Sequence, residues 1–183
     1  LCSLAGMTCS AVGFPFHYST DKFTQEVRFS APRRGALEWL VGGFYTHESS
    51  ENVQAFAPRG TAGEPLPNTL FSFSTPSRYE EYAAFGTLTW YITDKLDVTG
   101  GLRYARNDQK YNQIGGGLFG RSAPRPSTVS EDVYTYLGSV RYHFSENTVA
   151  YVRYATGYRP GGPNLVTINS TTGQPVGKPR FDG

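Results

Sequence analysis

About six stretches of this chain alternate apolar and polar residues with a period of two, and the connections between them are alternately short and long. Such alternation puts successive side chains on opposite faces of an extended strand, so each stretch predicts a strand with one apolar and one polar face. The clearest is 95–107, where Leu96, Val98, Leu102 and Tyr104 alternate against Asp97, Thr99, Arg103 and Asn107. Residues 22–30 set Phe23, Val27 and Phe29 against Thr24, Glu26 and Arg28, and 37–47 carry Leu37, Trp39, Val41, Gly43 and Tyr45 on one side. Residues 79–92 end with Leu88, Trp90 and Ile92 sharing a face. Residues 133–144 set Tyr134, Tyr136, Val140, Tyr142 and Phe144 against Thr135, Ser139, Arg141 and His143; 148–158 place Ala150, Val152 and Tyr154 opposite Tyr151 and Arg153.

The connections 31–36, 93–94 and 145–147 are short, whereas 49–78, 108–132 and the tail from Arg159 are long. An antiparallel meander gives this rhythm when one rim carries tight turns and the other elaborate loops, the asymmetry of outer-membrane barrels. Compact soluble domains seldom place loops longer than ~12–15 residues at every second connection. The strands also approach the ~9–11 residues that a tilted strand needs to cross hydrocarbon, against the ~5–6 usual in soluble proteins. Aromatics make up 15% of the chain, and they sit where two interfacial girdles would put them. Trp90, Tyr91, Tyr142 and Phe144 lie beside short turns, and Tyr45, Tyr79, Tyr82, Tyr134 and Tyr136 lie toward the long loops. The expected fold is all-β: an antiparallel up-and-down transmembrane β-barrel meander. About six strands fall short of the ~8 of the smallest closed barrels, which makes it a partial barrel.

Other classes find little support. No run of ~18 apolar residues is present to form a transmembrane helix, a test that says nothing of barrels. A net charge of +2, scattered along the chain, offers no basic face for nucleic acid. Cys2 and Cys9 are the two cysteines, open to one disulfide or to two free thiols, and too few ligands surround them for a metal. Residues 1–16 lack the positive start of an export signal, so an N-terminal portion is expected to be missing. Residues Gly115, Gly117 and Gly120 have the spacing of a dinucleotide-binding motif, but in a Gly/Ser/Pro-rich stretch without the required strand and helix they predict a loop. His17, His47 and His143 are far apart with no ligand spacing, and Glu80 and Glu81 point to opposite faces of a strand. No nucleophile motif occurs, so no catalytic residue, metal or cofactor is assigned.

Several segments resemble successive strands of TonB-dependent receptor barrels. They are 23–28 (FTQEVR), 39–45 (WLVGGFY) and 82–86 (YAAFG), then Thr93-Asp94-Lys95-Leu96 with 99–104 (TGGLRY), and Gly157 to Asn164 (GYRPGGPN). Five motifs in order at hairpin spacing cover roughly 21–164; Pro163 departs from the usual aromatic, and residues 1–18 match no part of the pattern. The resemblance implies an internal fragment, with 1–20 an unassigned segment or extracellular loop, 21–164 barrel strands and 165–183 a truncated extracellular loop. It further implies a Gram-negative outer-membrane location, with surrounding lipid, the TonB protein and a plug domain as partners. The implied cargo is an extracellular small molecule such as an iron-siderophore.

On this reading Glu26, Arg28, Asp97, Arg103 and Arg141 line a wet lumen, where ion pairing within the wall is the simpler role. Ligand capture is assigned to the long loops, with Phe56, Arg59, Phe71 and Phe73 as contacts. The alternatives are a small non-transporting barrel or adhesin, which needs closure within the chain, and a soluble β-sandwich, which needs two packed sheets. Placing Leu96, Val98, Leu102 and Tyr104 in a closed interior, with Asp97 and Arg103 outside, would refute the barrel.

Overall fold

The computed structural model describes residues 6, 8–119 and 122–163, with the pairs 167–168, 175–176 and 180–181. Among them runs an eight-stranded antiparallel sheet. Its members are β1 (Ala11–Gly13), β2 (Phe16–Arg34), β3 (Leu37–Arg59), β4 (Phe71–Ser74), β5 (Ser77–Tyr91), β6 (Leu96–Gly116), β7 (Ser122–Ser145) and β8 (Thr148–Ala155). The long strands pair with their sequence neighbours, β2 with β3, β3 with β5, β5 with β6, β6 with β7 and β7 with β8. β1 and β4 prolong β2 and β5, because their pairing with β3 keeps the same register beyond Pro15 and Pro76. Proline has no N–H to give the ladder, so a strand breaks formally there while its carbonyl still pairs. Pro15 accepts from the Ala55 N–H at 3.1 Å and Pro76 from the Asn112 N–H at 3.0 Å.

Local chemistry fixes the short turns. Gly35 has φ of +66° between β2 and β3, a conformation that tight hairpins require and glycine adopts without strain. Between β5 and β6 the Thr93 hydroxyl accepts from the Lys95 and Leu96 N–H groups at 3.2 and 3.0 Å. Asn147 donates to the Ser145 hydroxyl at 3.4 Å in the next turn.

The six expected strands are present as β2, β3, β5, β6, β7 and β8, but most reach well beyond the alternation. β3 continues to Arg59, β6 to Gly116, and β7 begins at Ser122, so the two long internal connections are mostly paired hairpin. β2 begins at Phe16 and β1 precedes it, within the segment left unassigned from sequence. β8 stops at Ala155, three residues early. The glycine run is not a loop throughout: Gly115 and Gly116 close β6, and Gly117, at φ +87°, packs where a Cβ would meet the Leu70 carbonyl at 2.7 Å. Leu118 and Phe119 then donate to the Thr69 and Leu70 carbonyls at 3.0 Å each. Of the expected terminal loop 165–183, the described residues form short pairs, Arg180–Phe181 with Gly162–Pro163 and Thr167–Ile168 with Pro175–Val176; the rest lies outside the described residues. Cys9 is disulfide-bonded, and Cys2 lies outside the described residues.

Register carries each face across the sheet. Val41, Gly86, Leu102 and Tyr136 lie side by side, as do Leu37, Trp90, Val98, Val140 and Val152. These apolar side chains have no protein over them: Leu102 is 49% exposed, and Trp39, Trp90 and Tyr136 are exposed as well. Asp97, on the opposite face, is 1% exposed. A soluble core would reverse that arrangement, because burying one large apolar side chain stabilises a fold by about 1.5–3 kcal/mol. Buried apolar side chains among the described residues are few, Leu70, Ala83, Ala105 and Val129.

Candidate functional site

The polar face brings all five expected charged residues onto one surface. Near the short turns, Asp97 accepts from Arg141 Nε at 2.7 Å and faces His143 Nε2 at 3.2 Å. All three lie at odd positions of β6 and β7, where Asp97 pairs directly with Arg141. Beside them Tyr91 donates its hydroxyl to Glu38 at 2.7 Å, with the Arg33 guanidinium 4.1 Å from its ring centre. Tyr91 therefore belongs to the polar face and not to an interfacial girdle.

Midway along the strands the geometry is more elaborate. Arg103 donates to Glu81 at 2.5 Å and lies 5.1 Å from the Phe44 ring centre and 5.7 Å from that of Phe85. Arg28 approaches Phe85 from the other side at 5.8 Å and pairs with Glu26. Phe85 can lie flat across the wall because residue 42 is glycine; a Cβ there would sit 2.5 Å from the ring. Guanidinium groups over aromatic faces gain about 0.5–2 kcal/mol according to desolvation. Tyr79, expected in the girdle, is also on this face, its hydroxyl shared between Glu81 at 2.8 Å and Asn107 at 3.0 Å. Burial, and then the bond to Glu81, push its pKa well above the ordinary tyrosine value. Glu131 accepts from the Tyr158 hydroxyl and from the Gly161 N–H at 3.3 Å, fastening the chain beyond β8 to β7.

Toward the long connections the same face turns aromatic. Phe56 pairs with Phe71 across β3 and β4, their ring centres 6.1 Å apart; Phe14 lies 4.8 Å from Phe56, and Phe119 lies 5.8 Å from Phe71. Phe73 stands on that face one step along, opposite Gln54 and Gly115. Arg59 does not join them: it folds over the adjoining turn and donates to the Gly63 carbonyl at 3.0 Å. Three of the four expected loop contacts are thus gathered, on strands instead of a loop, with Phe14 and Phe119 added. Parity also puts Phe56 on the face of Phe44, since the two are an even number of residues apart along one unbroken strand. Phe14 and Phe119 carry no such signal. Among the described residues no cluster of His, Cys, Asp and Glu suits a metal ion.

A one-layer sheet with an exposed apolar band and a charged, hydrogen-bonded opposite face defines a segment of transmembrane β-barrel wall. The sequence model described as TonB dependent receptor-like, beta-barrel matches residues 8–182, and the chain belongs to that family. It is 30% identical over 165 residues to a pesticin receptor of Yersinia enterocolitica and 26% identical to that of Yersinia pestis. Each alignment covers 90% of this chain and 23% of the relative. The crystal structure of the ferric yersiniabactin uptake receptor FyuA from Yersinia pestis shares the fold, with a TM-score of 0.69 and 22% identity over 90% of this chain and 24% of that one. The chain therefore spans about a quarter of the length of the proteins it matches. Such receptors are outer-membrane β-barrels of Gram-negative bacteria, and this segment is part of such a barrel.

Proposed function

We propose that the receptor containing this segment takes up a ferric siderophore or another scarce small molecule, with a plug domain in its lumen and energy supplied through TonB. In this reading the apolar face meets hydrocarbon, the polar face lines the lumen, and no residue is catalytic. The long hairpins stand on the extracellular side, opposite the short periplasmic turns. The observation that carries the reading is the aromatic cluster Phe14, Phe56, Phe71 and Phe119 on the lumen side of those hairpins, above a wall held by ion pairs. Phe56 and Phe71, fixed on paired strands, lose little freedom on contact with a planar ligand, which is how aromatic anchors come to dominate binding. The chain's similarity to a pesticin receptor and to a ferric yersiniabactin uptake receptor favours a receptor over a non-transporting barrel.

The test uses the full-length receptor in iron-starved cells supplied with radiolabelled ferric siderophores of phenolate and of hydroxamate type. Uptake of one type should require a proton gradient and TonB, and F56A/F71A should weaken binding at least tenfold while leaving the barrel folded. Uptake that is indifferent to TonB, or ligand binding unchanged by F56A/F71A, would overturn the proposal.

A further inference from the structure

Exposed connections with few buried contacts are the parts of a fold that open most easily, and the far ends of the long hairpins do not fit that description. Beyond Phe56 the chain joining β3 to β4 forms a small hairpin of its own. Leu66 donates to the Pro58 carbonyl at 3.0 Å, Leu70 donates to that of Phe56 at 2.9 Å, and Arg59 bridges to Pro65. Leu70 and Pro58 are fully buried there. The chain ahead of β1 is tied to the same hairpin, Ser10 giving its N–H to the Arg59 carbonyl at 3.0 Å and its hydroxyl to that of Gly60 at 2.5 Å.

The end of β6 is fastened to it as well. Ser72 pairs with Gly116, and past that pair the Leu118 and Phe119 N–H groups reach the Thr69 and Leu70 carbonyls at 3.0 Å each. These two bonds run between hairpins far apart in sequence, so they hold one tip to the other and belong to neither alone. Residue 117 decides whether they form. Its φ of +87° strains any side chain other than glycine, and a Cβ there would lie 2.7 Å from the Leu70 carbonyl oxygen and 2.8 Å from that of Thr69. Both are backbone atoms, which cannot swing aside as the end of a side chain would. A larger residue at 117 must therefore push the tips apart. Phe119 would then leave its place 5.8 Å from Phe71, the ring that faces Phe56.

We infer that Gly117 is a positioning residue: it clasps the tips of the two hairpins into one body, so that Phe71 and Phe119 meet a ligand as a preformed aromatic surface instead of closing over it. Rings already held in place lose less freedom on binding than rings carried by separate tips. The clasp stands on backbone geometry alone; its use in capture rests on the uptake reading.

Hydrogen exchange on the ligand-free, full-length receptor in detergent tests the clasp. In the wild type the Leu118 and Phe119 amides should exchange about tenfold more slowly than in G117V, because their bonds are lost when the tips part. Amides of β5, and of β6 as far as Tyr111, should exchange alike in both, which shows that the wall folds; G117A, which adds only the Cβ, gives the same comparison should G117V not fold. Capture is tested with ferric siderophores of phenolate and of hydroxamate type. Toward the type that the wild type binds, G117V and F119A should each weaken binding about tenfold, but F119A should keep slow exchange at Leu118, since it removes the ring and leaves the clasp. T69C/L118C joined by a short thiol cross-linker should bind as the wild type does, and the same cross-link in G117V should recover binding, a rescue that a general loss of stability would not give. Equal exchange at Leu118 and Phe119 in the wild type and G117V, or loss of binding on cross-linking, would overturn the inference. A receptor that binds neither siderophore yet keeps the exchange difference would defeat the uptake reading and support the clasp.

Discussion

The lower and upper halves of the same strands obey different rules. Between Leu37 and Tyr45 on β3, alternate residues are apolar and exposed, and the facing stretches of β5, β6 and β7 match them in register. Beyond Tyr45 the ladder continues unbroken to Arg59, yet the outward positions become His47, Ser49 and Glu51. Backbone pairing is indifferent to this change; only the side chains register it. Strand continuity is thus a property of the hydrogen-bond ladder, while the apolar pattern records which solvent lies outside.

The largest expected effect breaks that comparison directly. Leu102, beside Gly86 and Tyr136, lies in the apolar band, whereas Ser130 lies on the same face of the upper half and donates to Asp108 at 2.5 Å. In the full-length receptor refolded into lipid vesicles, L102R should cost about 2–4 kcal/mol, the penalty for a charge facing hydrocarbon. S130R, placed beside Asp108, should stay within about 0.5 kcal/mol of the wild type, as surface substitutions usually do. Equal losses in a denaturant titration would mean that no solvent boundary separates the two rows.

A middle-sized effect sharpens the contrast on the polar face. R103A removes the partner of Glu81, a carboxylate that is largely shielded, and should cost about 1–3 kcal/mol. K22A removes the partner of Glu48 on the upper part of the same face, a pair at 3.1 Å whose lysine is mostly exposed. That loss should lie between about 0 and 1 kcal/mol. A double-mutant cycle with E81Q isolates the coupling; additive single losses at Glu81 and Arg103 would show that the wall does not depend on this pair.

What the sequence revealed follows from where the contrast between faces is strong. In the lower half, hydrocarbon on one side and polar partners on the other force Leu96, Val98 and Leu102 to alternate with Asp97, Thr99 and Arg103, so strand, facing and charged residues were all readable. In the upper half polar residues take positions on both faces, and 49–52 reads Ser-Ser-Glu-Asn; nothing apolar marks a strand there, although β3 passes straight through. The facing of Tyr79 and Tyr91 is hard to read from sequence for a related reason. Tyrosine is amphipathic, and a ring near a boundary fits either face until parity is traced along the whole strand: both are odd members of β5, on the side of Glu81 and Phe85. The aromatic cluster needed three-dimensional register, because Phe14, Phe56, Phe71 and Phe119 come from four separate stretches of chain.

The smallest expected effect concerns Tyr79, at the junction of the two halves. Its hydroxyl is held protonated by burial and by donation to Glu81, so its pKa in the folded wall lies above the value of 10.0 that it takes when exposed. The unfolded chain therefore loses this proton first as pH rises. The stabilisation is fully present below about pH 10 and declines above it, with a slope of up to about 1.4 kcal/mol per pH unit for one proton. Other tyrosines titrate in the same window, so the informative quantity is a difference in slope. Unfolding free energies of the full-length receptor, measured from neutral to strongly alkaline pH, should fall less steeply for Y79F than for the wild type, even if Y79F is weaker at neutral pH for want of the bonds to Glu81 and Asn107. Parallel curves would mean that Tyr79 meets water freely, and that the lumen side of the junction is as wet as the rows above it.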